Sequence, residues 1–195
     1  MIILISGFFE VYNKLPLKNI KKVAFIGNAK DKHADKSGLE KYRRFFREKY
    51  SVFEDVDLRK YNADSLFKKL STFDLIYVAG GNSFVLLEAM RKSGFDTIIK
   101  KLLDLGIIYL GQSAGACVMG SSIEPFKLYD RPEKANLKNF DGFSFVDFVF
   151  VPHDGNPKFT DRVNILKKTP PKGFKLEFFT DEEAIIINKG LIKRF

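Results

Sequence analysis

Ile107-Ile108-Tyr109-Leu110-Gly111-Gln112-Ser113-Ala114-Gly115-Ala116 reads as an apolar strand that breaks into a tight turn of small residues and opens a helix. The strand half shows no polar alternation, as expected of a strand covered on both faces. The turn carries the G-x-S-x-G spacing around Ser113. Small neighbours relieve crowding in a sharp strand-to-helix turn, so a hydroxyl can be held away from its own backbone as a nucleophile. The N–H of Ala114 then falls at the helix start, where it can stabilise an oxyanion. A serine in such a turn can equally act as an N-cap, and local spacing leaves both readings open.

The same alternation extends outward. Residues 1–5, 23–27, 52–58 and 75–79 read as strands, and residues 36–50 and 63–70 as helices. Further helices run through Phe84, Leu87 and Arg91, and through Ile98, Ile99, Leu102 and Leu103. Strands alternating with helices predict right-handed βαβ units and a mainly parallel sheet, so the fold class is α/β, a three-layer sandwich. After about residue 120 the pattern changes. Residues 145–152, 176–179, 184–188 and 191–192 read as strands, the last pair as a hairpin turning at Asn188-Lys189-Gly190. A helical segment over 158–168 lies between them. No repeat, low-complexity stretch or Pro/Gly/Ser-rich linker divides the chain, and 195 residues suit one domain spanning 1–195.

Composition narrows the class. Hydrophobic residues at 45% and charged residues at 29% fit a soluble globular protein with its own core. Phenylalanine, at 21 residues with no tryptophan, is expected to carry much of the packing. The single cysteine, Cys117, permits no disulfide within the chain and suits a reducing compartment. It lies about one helical turn after Ser113 and reads as a small packed residue. The apolar start at Met1-Ile2-Ile3-Leu4-Ile5 is short and lacks a basic flank, so it reads as a buried strand and a cytoplasmic location is expected.

A net charge of +9 raises nucleic acid or anionic membrane as partners. The lysines are scattered, however. The tightest cluster, Lys41, Arg43, Arg44 and Arg47 beside Leu39, Phe45 and Phe46, has the spacing of a solvated helix face. Neither a nucleic-acid nor a membrane partner is expected. Two histidines and one cysteine supply no ligand cluster, so no metal or cofactor is expected.

Ligands of doubly wound sheets bind beyond the carboxyl ends of the strands. Gly80-Gly81-Asn82-Ser83-Phe84 follows a strand and opens a helix, where paired glycines can turn backbone N–H groups toward a ligand. The plainer reading is a turn with Asn82 or Ser83 as N-cap. A serine nucleophile needs a base. His33 sits in the polar stretch Asp31-Lys32-His33-Ala34-Asp35 and reads as solvated. His153 follows Phe148-Val149-Phe150-Val151-Pro152 at a strand end, either as a site residue or as a cap on a strand edge. For an acid to orient the imidazole there are Asp130 before the histidine and Asp181, Glu182 and Glu183 after it; spacing does not choose. An ordinary α/β-hydrolase is a poor fit, because serine and histidine are only about forty residues apart.

In this order, Gly80-Gly81-Asn82-Ser83-Phe84, Gly111-Gln112-Ser113-Ala114-Gly115-Ala116 and Pro152-His153 resemble the peptidase E family of serine peptidases. That family includes aspartyl dipeptidase and, more distantly, cyanophycinase. The likeness is strongest to its uncharacterised Gram-positive members. It spans nearly the whole chain, including Val146-Asp147-Phe148, taken as a strand, and Glu183-Ala184-Ile185. The resemblance implies a flavodoxin-like sandwich of the class I glutamine amidotransferase kind. It also implies Ser113 as nucleophile, His153 as general base, Gly81 and Ala114 as oxyanion donors, and Asp130 as the acid, with Glu183 the other candidate. The implied partner is a small peptide, cleaved in the manner of a dipeptidase with N-terminal Asp-X as the type substrate. A monomer or homodimer is expected. One departure bears on specificity: the stretch Asp154-Gly155-Asn156-Pro157-Lys158-Phe159-Thr160-Asp161-Arg162 is shorter than the loop of aspartyl dipeptidases. Arg162 or Lys158 can meet a substrate carboxylate there, or serve only as surface helix residues. The rival readings are a catalytically inactive binding or sensor protein of the same fold, and an esterase or amidase acting on small non-peptide molecules.

Overall fold

The computed structural model describes residues 1–128 and 130–195. Strands β1 (Ile2–Ile5), β2 (Lys22–Ile26), β3 (Val52–Asp55), β4 (Leu75–Val78) and β5 (Ile108–Gln112) run parallel in the order β3-β2-β4-β5-β1. Two more strands, β6 (Val149–Asp154) and β7 (Leu176–Thr180), pair in parallel with each other as a separate ribbon. The hairpin β8 (Ala184–Asn188) and β9 (Leu191–Arg194) extends the main sheet, β8 pairing antiparallel with β1. Among the described residues the main sheet is thus seven-stranded and mostly parallel, with helices on both faces.

The unbroken apolar runs follow from this layering. Ile2 and Leu4 of β1, Ile76 and Val78 of β4 and Tyr109 of β5 enter one core, while Ile3, Ile5, Leu75, Tyr77, Ile108 and Leu110 enter the other. Each strand alternates faces residue by residue, and because both faces are covered neither set is polar.

Helix α1 (Glu40–Lys49) covers the second core, with Phe46 turned inward and the Arg43 guanidinium over the Phe25 ring. Lys41, Arg44 and Arg47 lie on the exposed side as the spacing predicts, while Arg43 is half-buried. Phe8, just past β1, packs among Tyr12, Tyr42, Phe45, Phe46 and Tyr77 with ring centroids 5.2–5.8 Å apart. On the opposite face lie α2 (Ala63–Leu70), α3 (Ser83–Ser93), α4 (Phe95–Asp104) and the short α5 (Ala114–Cys117). Asn62 and Ser65 close a reciprocal capping box at the start of α2. Gly94, at φ 73°, breaks α3 from α4. Helix α6 (Thr160–Lys168) packs on the ribbon. No helix among the described residues is long and apolar enough to cross a membrane.

The sequence reading differs from the structure in the last third. Residues 145–148, including Val146-Asp147-Phe148, form bends, and the strand begins only at Val149. The ribbon does not join the main sheet; it lies against α5 and the first core. Phe150 and Phe179 stack at 4.2 Å with their planes 3° apart, and Cys117 Sγ donates to the Phe150 carbonyl at 3.3 Å. The strand signal in 149–152 is therefore the signal of burial, which a second layer satisfies as well as a sheet edge.

Phe46 joins α1 to the aromatic cluster, so Phe46→Ala should cost about 3–5 kcal/mol of stability. Urea denaturation followed by far-UV circular dichroism measures this; a loss under 1 kcal/mol would mean that α1 is not held through this side chain.

Candidate active site

The carboxyl ends of β1, β4 and β5 meet at one point, and the chain at the end of β5 is sharply constrained there. Ser113 has φ 51° and ψ −111°, a conformation that L-residues rarely adopt. The surrounding glycines are required by contact. A Cβ on Gly111 would strike the Gly115 carbonyl, one on Gly115 would strike the Val78 carbonyl of β4, and one on Gly80 would come within 3.0 Å of Ser113 Cβ. The Ser113 N–H donates to Ile5 O at 2.9 Å, and the Ser113 carbonyl accepts from Ala116 and Cys117 at 2.8 and 2.9 Å. Its hydroxyl caps no helix. Ser113 Oγ instead lies 2.9 Å from His153 Nε2.

His153 is also in the left-handed region, at φ 68°. The hydroxyl of Ser6, fully buried at the end of β1, accepts from the His153 N–H at 3.2 Å and donates to Phe179 O at 3.1 Å. Asp181, immediately after β7, takes the other ring nitrogen: Nδ1 to Oδ1 is 2.7 Å. Its second oxygen accepts from Asn156 Nδ2 at 2.5 Å. With Asp181 as acceptor, Nδ1 carries the proton and Nε2 is free to accept the Ser113 hydroxyl hydrogen. Burial pushes the Asp181 carboxyl up, but the hydrogen bonds from His153 and Asn156 and the charge of the imidazolium outweigh it, so its pKa lies below the ordinary value. Phe159 stacks on the imidazole at 4.1 Å, covering one face.

The carboxylate choices separate cleanly. Asp130 does not meet the imidazole; its Oδ2 accepts from Ser83 Oγ at 3.0 Å and Ser83 N at 3.3 Å. Glu183 also lies elsewhere, accepting from Thr180 N at 2.7 Å and pairing with Arg194 at 2.8 Å. Asp181 was one of four candidates that spacing could not rank. The strand-end rule that singles out His153 also applies to it, one residue after β7. Ser6, Asn156 and Phe159, which hold the histidine and the aspartate, went unnoticed for this role in the sequence. Gly81 and Ala114 line the same recess as Ser113, and neither N–H has an acceptor among the described residues. Gly81, at φ 153°, passes so close to Ala29 O that a Cβ would sit 2.5 Å away. Asn82 caps α3 by accepting from Val85 N at 2.9 Å. Cys117 is buried, and burial, followed by the Asp130 charge, pushes its thiol up.

These groups open into a cleft of about 850 Å³. Phe9 and Tyr42, stacked 5.4 Å apart, form one wall, and Phe159 and Arg162 another. His33 lines the outer rim rather than standing free in solvent; burial, then Lys30 and Lys134, lowers its pKa. A recess of about 50 Å³ leads off the cleft at Ser113, lined by Cys117, Phe126, Asp130 and Arg162 among others.

Residues 10–194 match the model of peptidase family S51. An uncharacterized peptidase of Pasteurella multocida (strain Pm70) is 28% identical over 169 residues, which is 86% of this chain and 82% of that one. A second uncharacterized peptidase, from Listeria innocua, is 32% identical over 155 residues, covering 79% and 71%. The crystal structure of a peptidase E candidate from Listeria monocytogenes EGD-e superposes with a TM-score of 0.88 at 26% identity, over all of this chain and 96% of that one.

Two outcomes follow from the backbone and the buried carboxylate. Ser113→Gly and Ser113→Ala both lose the hydroxyl, but only glycine accepts this backbone. The glycine variant should therefore be the more stable by about 1–2 kcal/mol in chemical denaturation, and equal stabilities would remove the strain. Asp181 binds a proton more readily unfolded than folded, so its contribution is present above the ordinary carboxylate pKa and is lost as pH falls through its lowered folded value. Denaturation midpoints measured down through that window should fall less steeply in Asp181→Asn than in the parent protein.

Proposed function

Because the chain belongs to peptidase family S51 and is therefore a hydrolase, we propose that it cleaves small peptides by serine catalysis through Ser113, His153 and Asp181. The observation that carries this reading is the continuous line of hydrogen bonds, 2.7 Å from Asp181 to Nδ1 and 2.9 Å from Nε2 to the Ser113 hydroxyl. Asp181 takes the part that the family resemblance gave to Asp130. Its position on Nδ1 supports this, as does the engagement of Asp130 with Ser83.

His153 Nε2 removes the hydroxyl proton as Ser113 Oγ attacks the peptide carbonyl. Asp181 holds the tautomer and stabilises the imidazolium that forms. The developing oxyanion is met by the Gly81 and Ala114 N–H groups, one from each of two adjacent strand-to-helix turns, so they need no reorganisation. Nε2 then returns its proton to the leaving amine, and water activated by the same nitrogen releases the acyl group. Phe159 and the 12% exposure of the imidazole keep bulk water from the proton path. The dimensions of the cleft suit short peptides, and Asp-X dipeptides are the first to test, with Lys158 and Arg162 at its edge. Both cores share one sheet, which supports a single domain over residues 1–195.

An alkyl fluorophosphonate should label Ser113, with no labelling in Ser113→Ala or His153→Ala. Asp181→Asn should lower kcat for the best dipeptide by about 10³–10⁴, the scale seen when the orienting aspartate of a Ser-His-Asp enzyme is replaced. A folded Asp181→Asn protein with near-normal kcat would return the role to another carboxylate. If simple esters turn over while no dipeptide in a broad panel is cleaved, the peptide reading fails.

A further inference from the structure

Gln112, the residue before Ser113, is buried between two tyrosines, and the hydrogen bonds around it leave one hydrogen unused. Ile108 and Leu110 of β5 face the second core, and Gln112, two residues on, continues their row. The hydroxyl of Tyr77, fully buried on β4, donates to Gln112 Oε1. Gln112 Nε2 in turn donates to the Tyr42 hydroxyl oxygen at 3.0 Å. Among the described residues these three side chains make no other hydrogen bond.

The direction of this chain is set at its buried end. Burial pushes the Tyr77 hydroxyl up, so it keeps its proton and needs an acceptor, which Gln112 Oε1 supplies. Turning the amide over would bring Nε2 to Tyr77 and leave the phenolic hydrogen buried without a partner, an arrangement that folding disfavours. Nε2 therefore faces Tyr42, and because an amide nitrogen accepts nothing, the Tyr42 oxygen is the acceptor there. The Tyr42 hydrogen has no acceptor in the protein among the described residues, and Tyr42 stands half-buried on the wall of the cleft. Its ring is held in place as well. Phe9 stacks on it at 5.4 Å, Phe8 meets it edge-on at 5.8 Å, and Lys41 Nζ lies 4.8 Å from its centroid.

Ser113 lies between the two faces of the main sheet. The small recess with Cys117 and Phe126 is on the side of the first core, and Tyr42 is on the side of the second. A peptide bond attacked at Ser113 thus has one residue on each side. The recess, which also holds Gly81 and Ala114, suits the acyl residue, so the leaving residue extends toward Tyr42.

The geometry points to the Tyr42 hydroxyl as a preset hydrogen-bond donor to an oxygen of the substrate's leaving residue, either a terminal carboxylate or a carbonyl in the same place. The two sides are assigned by the proposed attack at Ser113, on which this rests; the donor itself needs no turnover. Tyr42 is a binding residue in this account, and substrates whose leaving group offers no oxygen lose its contact.

Binding in Ser113→Gly protein, where nothing is turned over, provides the test. Asp-Ala and Ala-Ala are titrated by calorimetry, and the tighter binder is compared with its C-terminal amide and with the anilide of its first residue, whose leaving amine has no oxygen. Tyr42→Phe, added to Ser113→Gly, removes the hydroxyl and keeps the ring in its stack. It should weaken the dipeptide about 5–100-fold, the range from a neutral to a charge-assisted hydrogen bond. The anilide should change by less than about twofold. An amide as sensitive as the dipeptide identifies a carbonyl acceptor, and an insensitive amide identifies the carboxylate; both uphold the donor. A dipeptide loss under about fivefold, an anilide that weakens in step, or no binding of either dipeptide would each overturn it. An anilide weakening in step would reduce Tyr42 to a support for Gln112. Absence of fluorophosphonate labelling would remove Ser113 as nucleophile while leaving a Tyr42-dependent dipeptide preference standing, so the two readings fail separately.

Discussion

A serine at φ 51° persists only where its surroundings allow no other path for the chain. Here the constraint comes from three strands at once. The Ile5 carbonyl of β1 fixes the Ser113 amide, the Val78 carbonyl of β4 presses against Gly115, and Gly80 lies against the serine's own Cβ. Each contact allows only a small residue, so the glycines of 80–81 and 111–115 are one packing solution rather than two motifs. The turn holds the hydroxyl toward His153 and, among the described residues, leaves the Ala114 and Gly81 N–H groups without acceptors.

The hydrogen-bond partners of the Ser113 hydroxyl are delivered by the ribbon. Strands β6 and β7 run parallel, Val151 opposite Phe178 and Asp154 opposite Thr180, with an irregularity between. Residues at their carboxyl ends are therefore neighbours, and His153 and Asp181 emerge side by side although 28 residues separate them. The irregularity coincides with the positive φ of His153, and the buried Ser6 hydroxyl holds that backbone in place. Two sheets thus present their strand ends to one cleft, the Ser113 hydroxyl from one and His153 and Asp181 from the other.

This division explains what could be read from the sequence. The doubly covered strands, the strand–helix alternation of a parallel sheet, the C-terminal hairpin and the serine turn all leave local marks, because burial on both faces and crowding in a turn each restrict residue type over a few positions. His153 was legible as a histidine at a strand end. The acid was not. Asp130, Asp181 and Glu183 are alike in one dimension, and only the parallel pairing of β6 with β7, a contact between distant segments, puts Asp181 on Nδ1. The same non-local cause hid Ser6, whose importance depends on a ribbon more than 140 residues further along the chain. It also hid the ribbon's separateness, since a strand buried by a second layer has the composition of one buried within a sheet.

The boundary between ribbon and sheet is spanned by a few polar links, among them the Ser6 hydroxyl, the Cys117 thiol on Phe150 O, and the Ser121 N–H on Phe148 O at 2.9 Å. Much of the rest is apolar packing within the first core. The 2.9 Å contact between Ser113 and His153 crosses this boundary. Since ribbon residues such as Phe150 and Phe179 share one core with the main sheet, the packing that closes that core is also what sets the distance between Ser113 and His153.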